Sequence, residues 1–85
     1  MIDNYYLYKN IEELDLHGCN RYEAIVKVDS FINDNKKLNR HLLKIIHGKG
    51  NYILKTEVHK YLKNNKKVVA YKLDLYNDGV TIIEI

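Results

Sequence analysis

The stretch Leu14-Asp15-Leu16-His17-Gly18-Cys19-Asn20-Arg21-Tyr22-Glu23-Ala24 changes its hydrophobic period part-way along. Up to Leu16, the apolar residues Ile11, Leu14 and Leu16, with Asp15 between, suit a short buried strand over Ile11–Leu16. Gly18 then permits a sharp turn, because a residue without Cβ tolerates positive φ. Asn20 is placed as an N-cap, with Glu23 three residues later to close a capping box. Ala24, Ile25, Val28, Phe31 and Ile32 recur at helical spacing, which predicts a helix from about Arg21 to Asn35. The polar run Asn33-Asp34-Asn35-Lys36-Lys37 is read as the loop that ends it.

The same order of strand, corner and helix returns downstream. Leu42, Leu43, Ile45 and Ile46, broken only by Lys44, suit a strand covered on both faces, as in parallel sheets. It stops at His47-Gly48-Lys49-Gly50, and a second helix is predicted from about Tyr52 to Asn64, with Leu54, Val58, Tyr61 and Leu62 on one side. Val68–Leu75 and Val80–Ile85 read as strands joined by the turn Asn77-Asp78-Gly79. The order β-α-β-α-β-β predicts an α/β fold, an α+β two-layer sandwich on a four-stranded mixed sheet, with helices on one face or both. Strand–helix–strand crossovers make the first two strands parallel, so both His-Gly corners leave the same edge of the sheet. Ligands of open α/β sheets bind at that edge.

The chain has 85 residues, room for one domain. Residues 1–10 are set apart as an N-terminal arm, and residues 11–85 as the domain proper. Tyr5, Tyr6 and Tyr8 cluster in the arm. They suit either loose packing on the domain or a surface on which bases stack. The net charge of +3 permits a polyanionic partner without requiring one. The single cysteine, Cys19, cannot form an internal disulfide, which fits a reducing cytoplasm. No apolar run is long enough to span a bilayer, so a membrane partner is not expected. Met1 to Tyr6 lacks the basic and apolar regions of a signal peptide. Nothing in the sequence specifies an oligomer.

Two constellations can carry chemistry. Asp15 and His17 lie two apart on a strand, so their side chains share a face. A carboxylate there can orient an imidazole, raise its basicity or help bind a metal; otherwise it caps backbone amides and leaves His17 as a polar strand-end residue. In His47-Gly48-Lys49-Gly50 the glycines let a ligand approach the backbone, and Lys49 adds a mobile positive charge. The following helix start suits a phosphate group. Each motif alone is a weak signal. Together, about 30 residues apart as one β-α-β unit requires, they gather two imidazoles, a carboxylate and a lysine near one spot. That set suffices for phosphodiester chemistry: one group takes a proton from the nucleophile, one protonates the leaving oxygen, and cations or amides stabilise the developing charge. Lys36, Lys37, Arg40, Lys44, Lys55, Lys60, Lys63, Lys66 and Lys67 scatter over loops and helix surfaces. Lys55, close to the second corner, is the best phosphate contact among them. His41 and His59 have no evident partner and are read as structural or surface residues. Cys19 sits at a helix start, where a thiol becomes more acidic, but no matched base accompanies it.

These motifs resemble the small MutS-related, or Smr, domain, found alone or at the C-terminus of the second bacterial MutS paralogue. Its Leu-Asp-Leu-His-Gly signature stands here as Leu14 to Gly18, and its His-Gly-x-Gly signature as His47 to Gly50. The helix with Glu23-Ala24 and the closing strand from Gly79 to Ile85 match as well. The resemblance implies a fold like the C-terminal domain of the third bacterial translation initiation factor. It implies nucleic-acid binding and endonuclease activity on RNA or DNA, in some members at ribosomes. It implies Asp15, His17 and His47 as catalytic residues, and Gly18, Gly48, Lys49 and Gly50 as the nucleic-acid-binding loop, to which Lys55 is added. The loop before the last strand departs from the family's longer glycine-rich form and shortens one wall of the groove. Asp15 is the one clear carboxylate in the motifs, so the expected cleavage needs no cofactor and is at most stimulated by Mg2+ or Mn2+. The alternative is a module that binds nucleic acid or a ribosomal surface without cutting.

Overall fold

A computed structural model describes residues 1–50 and 52–85. A 3-10 segment, Ile2–Leu7, precedes β1 (Glu12–Asp15), α1 (Arg21–Lys37), β2 (Leu42–Ile46), α2 (Ile53–Lys63), β3 (Ala70–Leu73) and β4 (Val80–Glu84). The four strands form one mixed sheet in the order β1-β2-β4-β3. The fold is α+β, with the β-α-β-α-β-β order expected from the sequence. β1 runs parallel to β2, with Asp15 opposite Ile46, and β4 runs antiparallel to both β2 and β3. β4 is therefore interior, and its residues Val80 to Ile83 are all buried. A strand covered on both faces needs apolar side chains on both, which accounts for the unbroken run there.

Both helices lie on one face. Ala24, Val28 and Ile32 from α1 and Val58 and Leu62 from α2 close over Leu16, Leu43, Ile45, Ile83 and Ile85. The opposite face is covered by the N-terminal segment, whose Ile2 and Tyr5 pack on Leu42, Val80 and Ile82. Strand alternation sorts the two sets: odd-numbered residues of β2 and β4 meet the helices, and even-numbered ones meet the arm.

α1 begins as the sequence requires. Asn20 accepts bonds from the amides of Tyr22 and Glu23, and the Glu23 carboxylate accepts from the Asn20 amide, so the capping box is complete. The helix runs two residues beyond the expected Asn35. Asn35 is buried and donates its side-chain amide to the Phe31 carbonyl, while Lys36 and Lys37 meet the negative end of the helix dipole. The polar run is thus the last turn of the helix and not a loop. β3 is shorter than the expected Val68–Leu75. At one end the Asp74 amide still bonds to the Val80 carbonyl, while its carboxylate accepts from the Tyr5 hydroxyl and the Tyr76 amide, and the chain turns there. The two helices are joined at the surface by the Tyr61 hydroxyl, which donates to Asp29. Burial, and then that carboxylate, push the Tyr61 phenol up to about 12. No helix of the described residues is long and apolar enough to cross a membrane.

Tyr5 anchors the arm. Its hydroxyl donates to Asp74 at 2.6 Å and accepts from the Leu75 amide at 2.8 Å. Tyr6 and Tyr8 remain exposed. Tyr5→Phe removes a bond to a carboxylate and strands an amide, so it is expected to cost about 1–3 kcal/mol in urea unfolding. Tyr6→Phe, on a ring 60% exposed, should change stability by less than about 0.5 kcal/mol. Equal effects from the two variants would remove the anchoring role of Tyr5.

Candidate functional site

The parallel pairing of β1 with β2 brings the ends of both strands to one edge. There a groove of about 290 Å³ is lined by Asp15, Leu16, His17, Gly18, Ile46, His47, Gly48 and Leu54. The two His-Gly corners expected to meet do so. Gly18 and Gly48 carry almost the same left-handed φ, +79° and +81°, with open space where a Cβ would stand. They are glycines for backbone conformation and not for crowding.

The two histidines occupy different environments. β1 ends at Asp15, and His17 lies in the turn beyond it. The Asp15 carboxylate accepts from the His17 backbone amide at 2.9 Å. The strand-face pairing of the two side chains expected from their spacing gives way to this tight turn. The His17 ring is exposed and has no hydrogen bond among the described residues. His47, by contrast, is 7% exposed. Its Nε2 lies 2.7 Å from the Thr81 hydroxyl, and its Nδ1 lies 3.2 Å from the Gly48 carbonyl. Thr81 is fully buried, and its hydroxyl also meets Nε2 of His59 at 2.7 Å. The His59 ring packs edge-on between those of His47 and Tyr71.

Burial is the main reason that the His47 imidazole is held below its ordinary value; the Lys55 charge adds to this, while the Gly48 carbonyl and Asp78 oppose it. His59 is lowered by burial first, then by His47 and Lys55. Both imidazoles are thereby kept neutral near pH 7.

The loop between β3 and β4 is fastened onto the second corner. The Gly79 carbonyl accepts from the His47 and Gly48 amides at 3.0 and 2.9 Å. A Cβ on Gly79 would stand 3.0 Å from the Gly48 carbonyl carbon. Asp78 pairs with Lys49 at 3.8 Å across this junction, with both groups exposed. Lys49 and Gly50 lie outside the groove lining, and the space in front of Gly50 is open. Lys55, half-buried on the first turns of α2, holds its ammonium 4.9 Å from the Tyr52 ring centre. Tyr52, the N-cap of α2, makes no side-chain cap bond itself. Cys19 is half-buried against the core. Among the described residues, no group of three or more His, Cys, Asp or Glu side chains is arranged to hold a metal ion.

Two members of this site were not evident from the motifs: Thr81 and His59. A signal for them exists in the sequence. Thr81 stands in an otherwise apolar strand, and a hydroxyl buried there needs a partner. His59, the one histidine of α2, supplies a partner.

The family model for the Smr domain matches residues 14–85, both corners and the closing strand included. The chain belongs to the Smr domain family. It is 37% identical over 76 residues to endonuclease MutS2 of Acetivibrio thermocellus and 38% identical over 76 residues to endonuclease MutS2 of Staphylococcus saprophyticus, covering 86% of this chain in each case. The chain matches only about a tenth, 10%, of the length of these relatives. The Smr domain of Thermus thermophilus MutS2 superposes with a TM-score of 0.86 at 27% identity, covering 87% of this chain and 96% of that one. YdaL, a stand-alone small MutS-related protein from Escherichia coli, superposes with a TM-score of 0.83 at 25% identity, over 92% of this chain and 66% of the other.

Two tests follow from this Smr site. In the unfolded chain His47 and His59 titrate near their ordinary value of about 6.5, and in the folded domain below it. Below pH ~6.5 the unfolded state therefore binds more protons. The stability is complete above that pH and is lost as pH falls towards the folded values. Urea midpoints should drop between pH 7.5 and 5, and His59→Gln should make the drop smaller; an unchanged drop would rule out His59 as a source. Gly79→Ala should cost about 1–3 kcal/mol by overpacking the Gly48 backbone, and should move the His47 ring resonances. A variant of unchanged stability and spectrum would show that the corner yields without strain.

Proposed function

We propose that this Smr domain binds nucleic acid in the groove between its two His-Gly corners and cleaves phosphodiester bonds there, as an endonuclease on RNA or DNA. The observation that carries the reading is the convergence of Asp15, His17, Gly18, His47 and Gly48 on one groove at the sheet edge. Residues 11–85 form the working module. Asp15, His17 and His47 are the proposed catalytic residues. Gly18, Gly48, Lys49, Gly50 and Lys55 are the proposed phosphate contacts.

The free imidazole of His17 can accept a proton from an attacking oxygen. With RNA, that oxygen is the 2′-hydroxyl: its proton passes to His17, its bond to phosphorus forms, the bond to the 5′-oxygen breaks, and the 5′-oxygen takes a proton from solvent water. With DNA, water must attack, which is harder and calls more strongly for a divalent ion. The exposed Lys49 and the half-buried Lys55 offer positive charge beside the groove. The two relatives named endonuclease MutS2 support a nuclease reading for this module, although it corresponds to a tenth of their length. A lone thiol that packs against the core suits a reducing compartment, and we assign the domain to the cytoplasm.

One observation favours a second reading, a binding module without catalysis. The Asp15 carboxylate is engaged by a backbone amide, and both ring nitrogens of His47 have partners. Only His17 is then left with a free ring in the groove.

The deciding experiment compares wild type with His17→Ala on labelled RNA, single-stranded DNA and duplex DNA, with and without Mn2+. Cleavage should fall by roughly 10²–10⁴-fold in the variant while binding persists. Binding by both proteins with cleavage by neither would leave the recognition module. Equal cleavage by both would remove His17 from the site.

A further inference from the structure

The hydrogen bonds around Thr81 can be given a direction. A carbonyl oxygen only accepts, so the contact of His47 Nδ1 with the Gly48 carbonyl places a proton on Nδ1. In a neutral imidazole Nε2 is then bare, and it must accept from the Thr81 hydroxyl. That hydroxyl has a single proton to give. Its contact with His59 must therefore run the other way, from His59 Nε2–H to Thr81 Oγ. The bonds run from His59 to Thr81 to His47 to Gly48, and among the described residues no buried side-chain polar atom is left without a partner.

Three features keep this arrangement in place. Thr81 is fully buried on the interior strand β4, opposite Ile45 of β2, so its hydroxyl has no water to turn to. His59 is wedged between the rings of His47 and Tyr71. Gly79 holds the His47 and Gly48 amides from the other side.

Resting on the reading of His47 as a groove residue, we infer that Thr81 and His59 are positioning residues: they lock His47 with Nε2 turned inward and Nδ1–H available to a phosphate oxygen in the groove. His47 then serves as a neutral hydrogen-bond donor to the phosphate and transfers no proton. To bind, a phosphate oxygen replaces the Gly48 carbonyl at 3.2 Å, the longer of the two His47 ring contacts. The base role falls to His17. The charged and titratable groups that face the pair are Lys55 from α2, Asp78 from the β3–β4 loop, and Tyr71 from β3. Lys55 and burial oppose protonation of both rings, which keeps the donor neutral.

Long-range proton–nitrogen NMR of the wild-type protein near pH 7.5 reads the tautomers directly, with no need of substrate. His47 should carry its proton on Nδ1, and His59 on Nε2. Thr81→Val removes the shorter, 2.7 Å contact and leaves the 3.2 Å Gly48 contact alone to set the tautomer, so it should give His47 a mixed one, while Thr81→Ser should keep the wild-type pattern. The reverse tautomer at His47, or an unchanged one in Thr81→Val, would overturn the inference. The kinetic arm uses His59→Leu, and His59→Gln, whose amide can still donate to Thr81. His59→Leu should lower kcat about 10–100-fold, by analogy with the loss of partners that orient a metal-bound histidine. KM should stay within about 2-fold, and His59→Gln should recover most of the loss. The wild-type rate should rise with pH through one ionisation to a plateau; a bell-shaped profile would overturn the donor role. If wild type cleaves nothing, the proposed activity fails, and the tautomers still decide whether Thr81 and His59 set His47.

Discussion

Parallel pairing between β1 and β2 is the constraint on which the rest of the domain depends. Two strands that point the same way cannot be joined by a tight turn, so the chain must cross back over the sheet, and α1 is that crossover. With Asp15 opposite Ile46, both strands end at the same level. Both must then change direction at once into a helix. A left-handed glycine serves each turn, Gly18 in one and Gly48 in the other. The histidine before each glycine is carried to the same place by backbone geometry, before any side-chain interaction is considered.

What happens to the two imidazoles next depends on which strand they follow. β1 is an edge strand, and the His17 ring beyond it faces solvent. β2 is interior, flanked by β1 and β4, so His47 is drawn under the β3–β4 loop. One motif repeated twice thus yields an open histidine and a closed one. The cost of burying His47 is offset by satisfying both of its nitrogens, and that in turn requires a buried hydroxyl and a second imidazole.

Much of this is legible in the residues themselves. The capping box at Asn20 and Glu23, the uninterrupted apolar run of β2 and the glycine at each corner give element type and order from local chemistry alone. The end of α1 is not legible in this way, because Asn35 has the character of a loop residue and only its amide, bonded one turn back to Phe31, ties it into the helix. Local patterns hold no record of such a bond. The same limit applies to the site. The spacing of Asp15 and His17 suggested partnered side chains on one strand face, but the strand stops at Asp15 and the carboxylate turns to the backbone. His59 looked like a residue without a partner because the hydroxyl that it meets lies on β4, 22 positions away. Contacts between elements distant in sequence are fixed by packing, and a motif names only one side of each.

The link from Tyr5 to Asp74 joins positions 69 residues apart, so forming it closes a loop of nearly the whole chain. Such a closure carries a large entropic penalty in an unfolded chain and a small one once the sheet exists, because the ends are already near each other. The order of assembly follows. The parallel β1-α1-β2 unit and the β3–β4 hairpin have to meet before the arm has a surface to land on. Until then the face formed by Leu42, Val80 and Ile82 is uncovered. The arm is thus expected to be the last part of the domain to fold and the first to come loose.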